Sequence, residues 1–131
     1  MKMTFSIPAF PVKDVSQSVT FYRDTLGFTL IHKDDGFAIF RRDVVELHLW
    51  EASDQSWRTR TTEPVMSGAE SFIAGTASCR IAVEGVDDLY RELQPHGIVH
   101  PKGQIADKPW GTREFGIVDR DNNLITFFER H

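Results

Sequence analysis

The sequence predicts an α+β fold of two βαβββ modules whose curved mixed sheets surround a cleft. Three observations predict it. First, Val12-Lys13-Asp14-Val15 opens a helical stretch closing at Leu26-Gly27-Phe28, and Val83-Glu84-Gly85-Val86 opens another closing at His96-Gly97-Ile98. Second, the openings start at residues 12 and 83, 71 apart, and the closing glycines stand at 27 and 97, 70 apart, in a chain of 131 residues. A near-constant offset of this kind marks an internal repeat. Third, short β-patterned runs flank each helical stretch, and two such sheets bent toward each other leave a cleft of the kind that takes small molecules.

The length fits one domain, with a first module over about 1–51, a connection over about 52–76 and a second module over about 77–131. At this size roughly two-thirds of the unfolded surface is buried, enough for stability without disulfides or a structural metal. The single cysteine, Cys79, has no partner for an intrachain disulfide and precedes Ile81, Ala82 and Val83, so it is expected to be a small core residue. That usage fits a reducing cytoplasm. No signal peptide or membrane-spanning run is expected. A net charge of −4 with dispersed acidic residues argues against nucleic acid and anionic membranes and is compatible with a cationic ligand.

Residues 4–12 are expected to form a strand broken by Pro8 and Pro11, at a sheet edge or crossing between subunits, since proline gives no ladder donor. Asp14 is the expected N-cap of a helix whose apolar stripe is Val15, Val19, Phe21, Tyr22 and Leu26, and Gly27 stops it. Strands at 28–32 and 37–41 flank the hairpin signal Asp34-Asp35-Gly36. A third strand covers 44–50 after an Arg42-Asp43 turn. The stretch 51–76 is irregular, but Trp57 and Phe72 make it too apolar for a purely solvated linker. In the second half a strand at 77–84, a helix over about 86–95 and a short strand near 98–100 repeat the pattern. Strands at 112–118 and 124–129 then pair across Asp119-Arg120-Asp121-Asn122-Asn123, which is turn chemistry throughout.

Alternation along 44–50 puts Val45, Leu47 and Leu49 on one face and Val44, Glu46, His48 and Trp50 on the other. The first set is core. A carboxylate, an imidazole and an indole together are the mixed lining of a ligand cleft; the plainer alternative is an exposed sheet face with one stray tryptophan. The last strand divides into Leu124, Thr126 and Phe128 against Ile125, Phe127 and Glu129, and the pattern leaves open which phenylalanine faces the cleft.

Glu46 and His48 share a face and can both reach one ion, but a catalytic metal takes about three protein ligands, and His32, His96, His100 and His131 lie at turns, helix ends or the last position. No metal, cofactor or catalytic residue is therefore expected, although Glu46–His48 remains open as an acid/base pair. The sequence carries no G-x-S-x-G, P-loop or G-x-G-x-x-G motif. Phe37, Trp50, Trp57, Trp110 and Phe115 fall in or beside the cleft strands and their rims. Flat aromatic walls of this kind stack on planar ligands, and desolvated cation–π contacts add about 2 kcal/mol for a positive one.

At these residues the sequence resembles the bleomycin-resistance proteins of the vicinal-oxygen-chelate superfamily, which also holds glyoxalase I and extradiol dioxygenases. The carrying segments are Pro11 to Val15, Phe21 to Phe28, Val86 to Tyr90, and above all Pro109-Trp110-Gly111-Thr112-Arg113-Glu114-Phe115 followed by Asp119 to Asn123. The resemblance implies the vicinal-oxygen-chelate fold, an arm-exchanged homodimer with clefts between subunits, and non-catalytic sequestration of a bleomycin-like or other bulky planar antibiotic. It puts Phe37 and Trp110 in the positions that grip the drug's planar bithiazole. Strand geometry and the loop add Glu46, His48, Trp50, Trp57, Arg58, Arg113 and Phe115 to the expected site. By the same resemblance the superfamily's metal ligands fall on Ile7, Glu46, Arg80 and Thr126, of which only Glu46 can ligate. The alternative reading is a metal-dependent lyase or dioxygenase of the same superfamily using Glu46 and His48. The long loop bearing Trp57 and Arg58 departs from the short-loop drug binders.

Overall fold

Each helix sits where a cap and a glycine delimit it. A computed structural model describes residues 1–52, 59, 61, 62 and 73–131. Asp14, at φ −141°, accepts the Gln17 amide at 3.0 Å and opens α1 (Val15–Thr20). The helix then widens into a π turn over Phe21–Thr25, where the Leu26 amide donates to the Phe21 carbonyl at 3.1 Å. Sequence periodicity predicts a plain α-helix here. The wider turn lets the adjacent rings of Phe21 and Tyr22 both enter the interior. Gly27 ends the segment at φ 73°.

The first sheet contains β1 (Ala9–Val12), β2 (Thr29–Lys33), β3 (Phe37–Arg42) and β4 (Val45–Glu51), ordered β1-β4-β3-β2. Asp34 makes the expected hairpin turn, its Oδ1 accepting the Gly36 amide at 3.0 Å. Asp43 takes φ 54° in the next turn. Aspartate tolerates this left-handed backbone better than most residues. Only the end of the expected 4–12 strand pairs, parallel to β4 with Ala9 opposite His48. Proline at 8 lacks a donor, and pairing begins after it. Met1, Met3, Phe5 and Ile7 stay exposed.

The second sheet contains β5 (Ser78–Ala82), β6 (Ala106–Asp107), β7 (Thr112–Val118) and β8 (Leu124–Arg130), ordered β5-β8-β7-β6. The helix α2 (Val86–Leu93) starts with the Gly85 and Val86 amides donating to the Glu129 carboxylate at 3.0 and 3.2 Å. These donors at the helix N-terminus hold that carboxyl below its usual range. A 3₁₀ turn over Gln94–His96 follows. The short strand expected near 98–100 is a single bridge, Val99 to Ile117, and the edge position belongs to β6.

One apolar cluster draws on both sheets and both helices, including Tyr22, Phe40, Leu47 and Leu49 from the first half and Ile81, Leu93, Ile117 and Ile125 from the second. A buried polar link crosses it: Asn123 Nδ2 donates to the Pro11 carbonyl at 2.8 Å and to Asp119 Oδ2 at 2.9 Å. Cys79 packs against the cluster, and burial pushes its thiol up to about 11.

Candidate functional site

Cross-strand pairing defines the outer face of the first sheet. Phe37 stands opposite Trp50, Ile39 opposite His48 and Arg41 opposite Glu46, so these six side chains share one surface while Ala38, Phe40, Leu47 and Leu49 point into the core. The alternation expected for 44–50 is thus what the sheet displays. The Phe37 ring meets the His48 ring edge-on at 5.1 Å. His48 Nε2 lies 2.8 Å from Glu46 Oε2, and Arg41 Nη2 donates to Glu46 Oε1 at 3.0 Å. The hydrogen bond from His48, then that from Arg41, holds the Glu46 carboxyl below the usual carboxylate range.

The matching face of the second sheet follows from the same rule. Thr112 stands opposite Arg130, Glu114 opposite Phe128 and Gly116 opposite Thr126. Phe128 is therefore the outward ring of the last strand, and Phe127 the buried one at 4% exposure. The Arg80 guanidinium stacks on Phe128 at 4.7 Å and donates to Glu114 at 2.6 and 3.3 Å. Arg130 lies over the same ring at 5.4 Å. A pocket of about 230 Å³ opens here, bounded by His100, Lys102, Gln104, Lys108, Glu114 and Thr126 among others, all from the second half.

Trp110 rims this surface. It sits in a tight turn closed by the Gly111 amide donating to the Lys108 carbonyl at 3.1 Å, with Gly111 at φ 86°. Trp110 is 63% exposed, and the Lys108 ammonium lies 6.0 Å from its ring centroid.

Two expected site residues turn the other way. Phe115 borders the pocket, but at 1% exposure its ring is held between Tyr90 and Phe127, with centroids at 5.1 and 5.4 Å. Arg113 pairs with Asp87 at 2.9 Å and tethers β7 to the start of α2. Both lie opposite residues of the inner face, Phe127 and Glu129, so strand parity takes them off the outer face that carries Glu114 and Phe128. Trp57 and Arg58 lie outside the described residues. Sequence reasoning weighed Phe128 against Phe127 without deciding between them and left out Glu114 and Arg130; the parity argument used on 44–50, applied to 112–118, puts Glu114 on the outer face.

The superfamily's metal does not fit the residues present. Of the four aligned positions, Ile7 has no donor atom and Arg80 places a fixed positive charge. Glu46, the one carboxylate among them, is already shared between His48 and Arg41.

A larger groove of about 670 Å³ runs between the two halves, past Phe28, Val44, Val45, Ile81, Leu89 and Phe127 among others. Among the described residues, none of those predicted for the site lines it.

The chain is 56% identical over 129 residues, 98% of each chain, to the bleomycin resistance protein of Geobacillus stearothermophilus, and equally to that of Staphylococcus aureus. It shares the fold of the copper(II)-bleomycin complex of the bleomycin-binding protein from Streptomyces verticillus, with a TM-score of 0.72 at 24% identity over 97% of this chain and 96% of that one. The lactoylglutathione lyase of Agrobacterium tumefaciens shares it as well, with a TM-score of 0.73 at 19% identity over 98% and 94%. The family profile for the glyoxalase/bleomycin resistance protein/dioxygenase superfamily matches residues 5–127, and the chain belongs to that superfamily.

Proposed function

We propose that the protein binds bleomycin-like antibiotics and sequesters them unchanged, in clefts completed by a second copy of the chain. The observation that carries this reading is 56% identity across 98% of both chains with relatives named bleomycin resistance proteins. The geometry supports it. Phe37 on β3 and Trp110 in the turn before β7 offer flat apolar surfaces, and such rings stack on planar heteroaromatic groups. The Glu46 carboxylate, the strongest acid/base candidate, is held below the usual carboxylate range by hydrogen bonds from His48 and Arg41, which makes it a weak base for proton abstraction.

The homodimer rests on two observations. The 230 Å³ pocket is bounded by second-half residues, leaving Phe37, His48 and Trp50 to wall a cleft from another chain. The arm before Pro8 exposes apolar side chains at positions 1, 3, 5 and 7, the spacing of one strand face in need of a cover. The same reading treats 1–131 as one functional domain and places it in the cytoplasm, where the single thiol stays reduced.

Calorimetric titration with metal-free and with copper-loaded bleomycin, followed in parallel by tryptophan fluorescence, tests the proposal. Micromolar or tighter binding near one drug per chain, with indole quenching and recovery of intact drug by mass spectrometry, is expected. Absence of heat and quenching at high drug concentration overturns it. Sedimentation equilibrium checks the dimer, and a monomer at saturating drug overturns the shared cleft.

A further inference from the structure

Glu114 is a carboxylate almost sealed from solvent, at 6% exposure, on the outer face of the second sheet. Four donors converge on it. Arg80 supplies two, at 2.6 and 3.3 Å, Thr112 Oγ1 a third at 2.7 Å, and Trp110 Nε1 a fourth at 3.4 Å. Three of the four reach the same oxygen, Oε2. We infer that Glu114 is the positioning residue of the antibiotic clamp, orienting the Trp110 ring before ligand arrives; the inference rests on the sequestration reading above.

Trp110 has little packing to hold it, since most of its surface faces solvent, and Gly111 behind it has no side chain to brace the ring. Among the described residues its indole N–H finds one acceptor, Glu114. Arg80 and Thr112 prevent the carboxylate from following the indole, because both draw Oε2 toward shorter bonds. Glu114 therefore behaves as a fixed post to which the indole is tied. A ring already oriented avoids the rotamer entropy that a free side chain loses on stacking, a difference of about two- to tenfold in affinity. The strong pairing with Arg80 keeps the post ionised at every physiological pH, with the carboxyl held down to about 2. The Trp110 bond is longer than the other contacts to Oε2, so the indole is guided rather than locked, which suits a ring that must settle against ligand.

A double-mutant cycle separates this role from a merely structural one. Bleomycin affinity is measured by calorimetry for the wild type, Glu114→Ala, Trp110→Ala and the double variant. The indole N–H resonance of Trp110 is followed by ¹H–¹⁵N NMR in the ligand-free protein, assigned by its disappearance in Trp110→Phe. Glu114→Ala is expected to move that resonance and to weaken binding two- to tenfold, while adding less than twofold in the Trp110→Ala background. Glu114→Gln keeps an oxygen acceptor and is expected to restore most of the affinity. An unmoved indole resonance in folded Glu114→Ala, or in Glu114→Leu if the alanine variant does not fold, overturns the inference whatever the drug does. Additive losses overturn it as well. Failure of the wild type to bind bleomycin overturns the sequestration reading, and with it the ligand half of the inference, while the resonance still decides whether Glu114 holds the indole.

Discussion

The Tyr22 hydroxyl donates to Asp119 Oδ2 at 2.8 Å, joining residues 97 positions apart in the interior. Asp119 also accepts the amides of Asp121 and Asn123 at 2.9 Å and the Asn123 side chain. Burial, reinforced by the Asp119 charge, raises the Tyr22 hydroxyl well above its ordinary value, so it stays a donor. Tyr22→Phe removes one of these bonds from a buried carboxylate and is expected to destabilise by about 1–3 kcal/mol. Urea unfolding measures this; a loss below about 0.5 kcal/mol would mean that another donor takes its place.

The two sheets should contribute separately to ligand binding. Phe37→Ala and Trp110→Ala are each expected to weaken bleomycin binding by about 1–4 kcal/mol, as truncated aromatic anchors do. Calorimetry on folded variants reads the loss. Unchanged affinity in both variants would remove these rings from the site.

Phe115 offers the opposite test. Its ring is core, so Phe115→Ala is expected to cost about 3–5 kcal/mol of stability. The milder Phe115→Leu should lower the unfolding midpoint yet leave drug affinity within about twofold, because no ligand contact is lost. A tenfold loss of affinity in a stable Phe115→Leu protein would restore the ring to the cleft.

Acid should reveal the Arg80–Glu114 pair. In the folded protein the Glu114 carboxyl titrates at about 2, against 4.5 for a free glutamate, so the unfolded chain takes up the proton first. The stabilisation is complete above about pH 4.5 and is lost as pH falls toward about 2. Urea midpoints measured from pH 6 to 2 should therefore fall more steeply in the wild type than in Glu114→Gln. Parallel curves would show that the pair contributes nothing to folding.

The local chemistry of this chain was legible wherever one residue decides one turn. Asp14 caps a helix, Gly27 ends it and Asp34 closes a hairpin without help from distant contacts. The face of 44–50 was legible because Leu47 and Leu49 mark the core side unambiguously. The same logic applied to 112–118 separates Thr112, Glu114 and Gly116 from Arg113 and Phe115, but the adjacent loop made Arg113 and Phe115 look available. Glu114 is outward yet sealed by its own partners, a state that alternation cannot encode. The π turn at Phe21–Thr25 was equally hidden, since one extra residue per turn changes packing without changing composition. The unpaired amino-terminal arm depends on where Pro8 interrupts a ladder, which only the pairing with β4 reveals.

Among the described residues both parallel pairs join a strand to one made much later: β1 to β4, with Ala9 opposite His48, and β5 to β8, with Ser78 opposite Leu124. Neither early strand can be satisfied by its immediate neighbours. Each must wait, through a long loop closure, for a hairpin that forms on its own. The chain should therefore fold at the pace of its topology, on the order of milliseconds to seconds, with the two hairpins early and the parallel edges last. Until then β1 and β5 are unpaired edges, and a nascent or heat-stressed chain exposes them to other chains first.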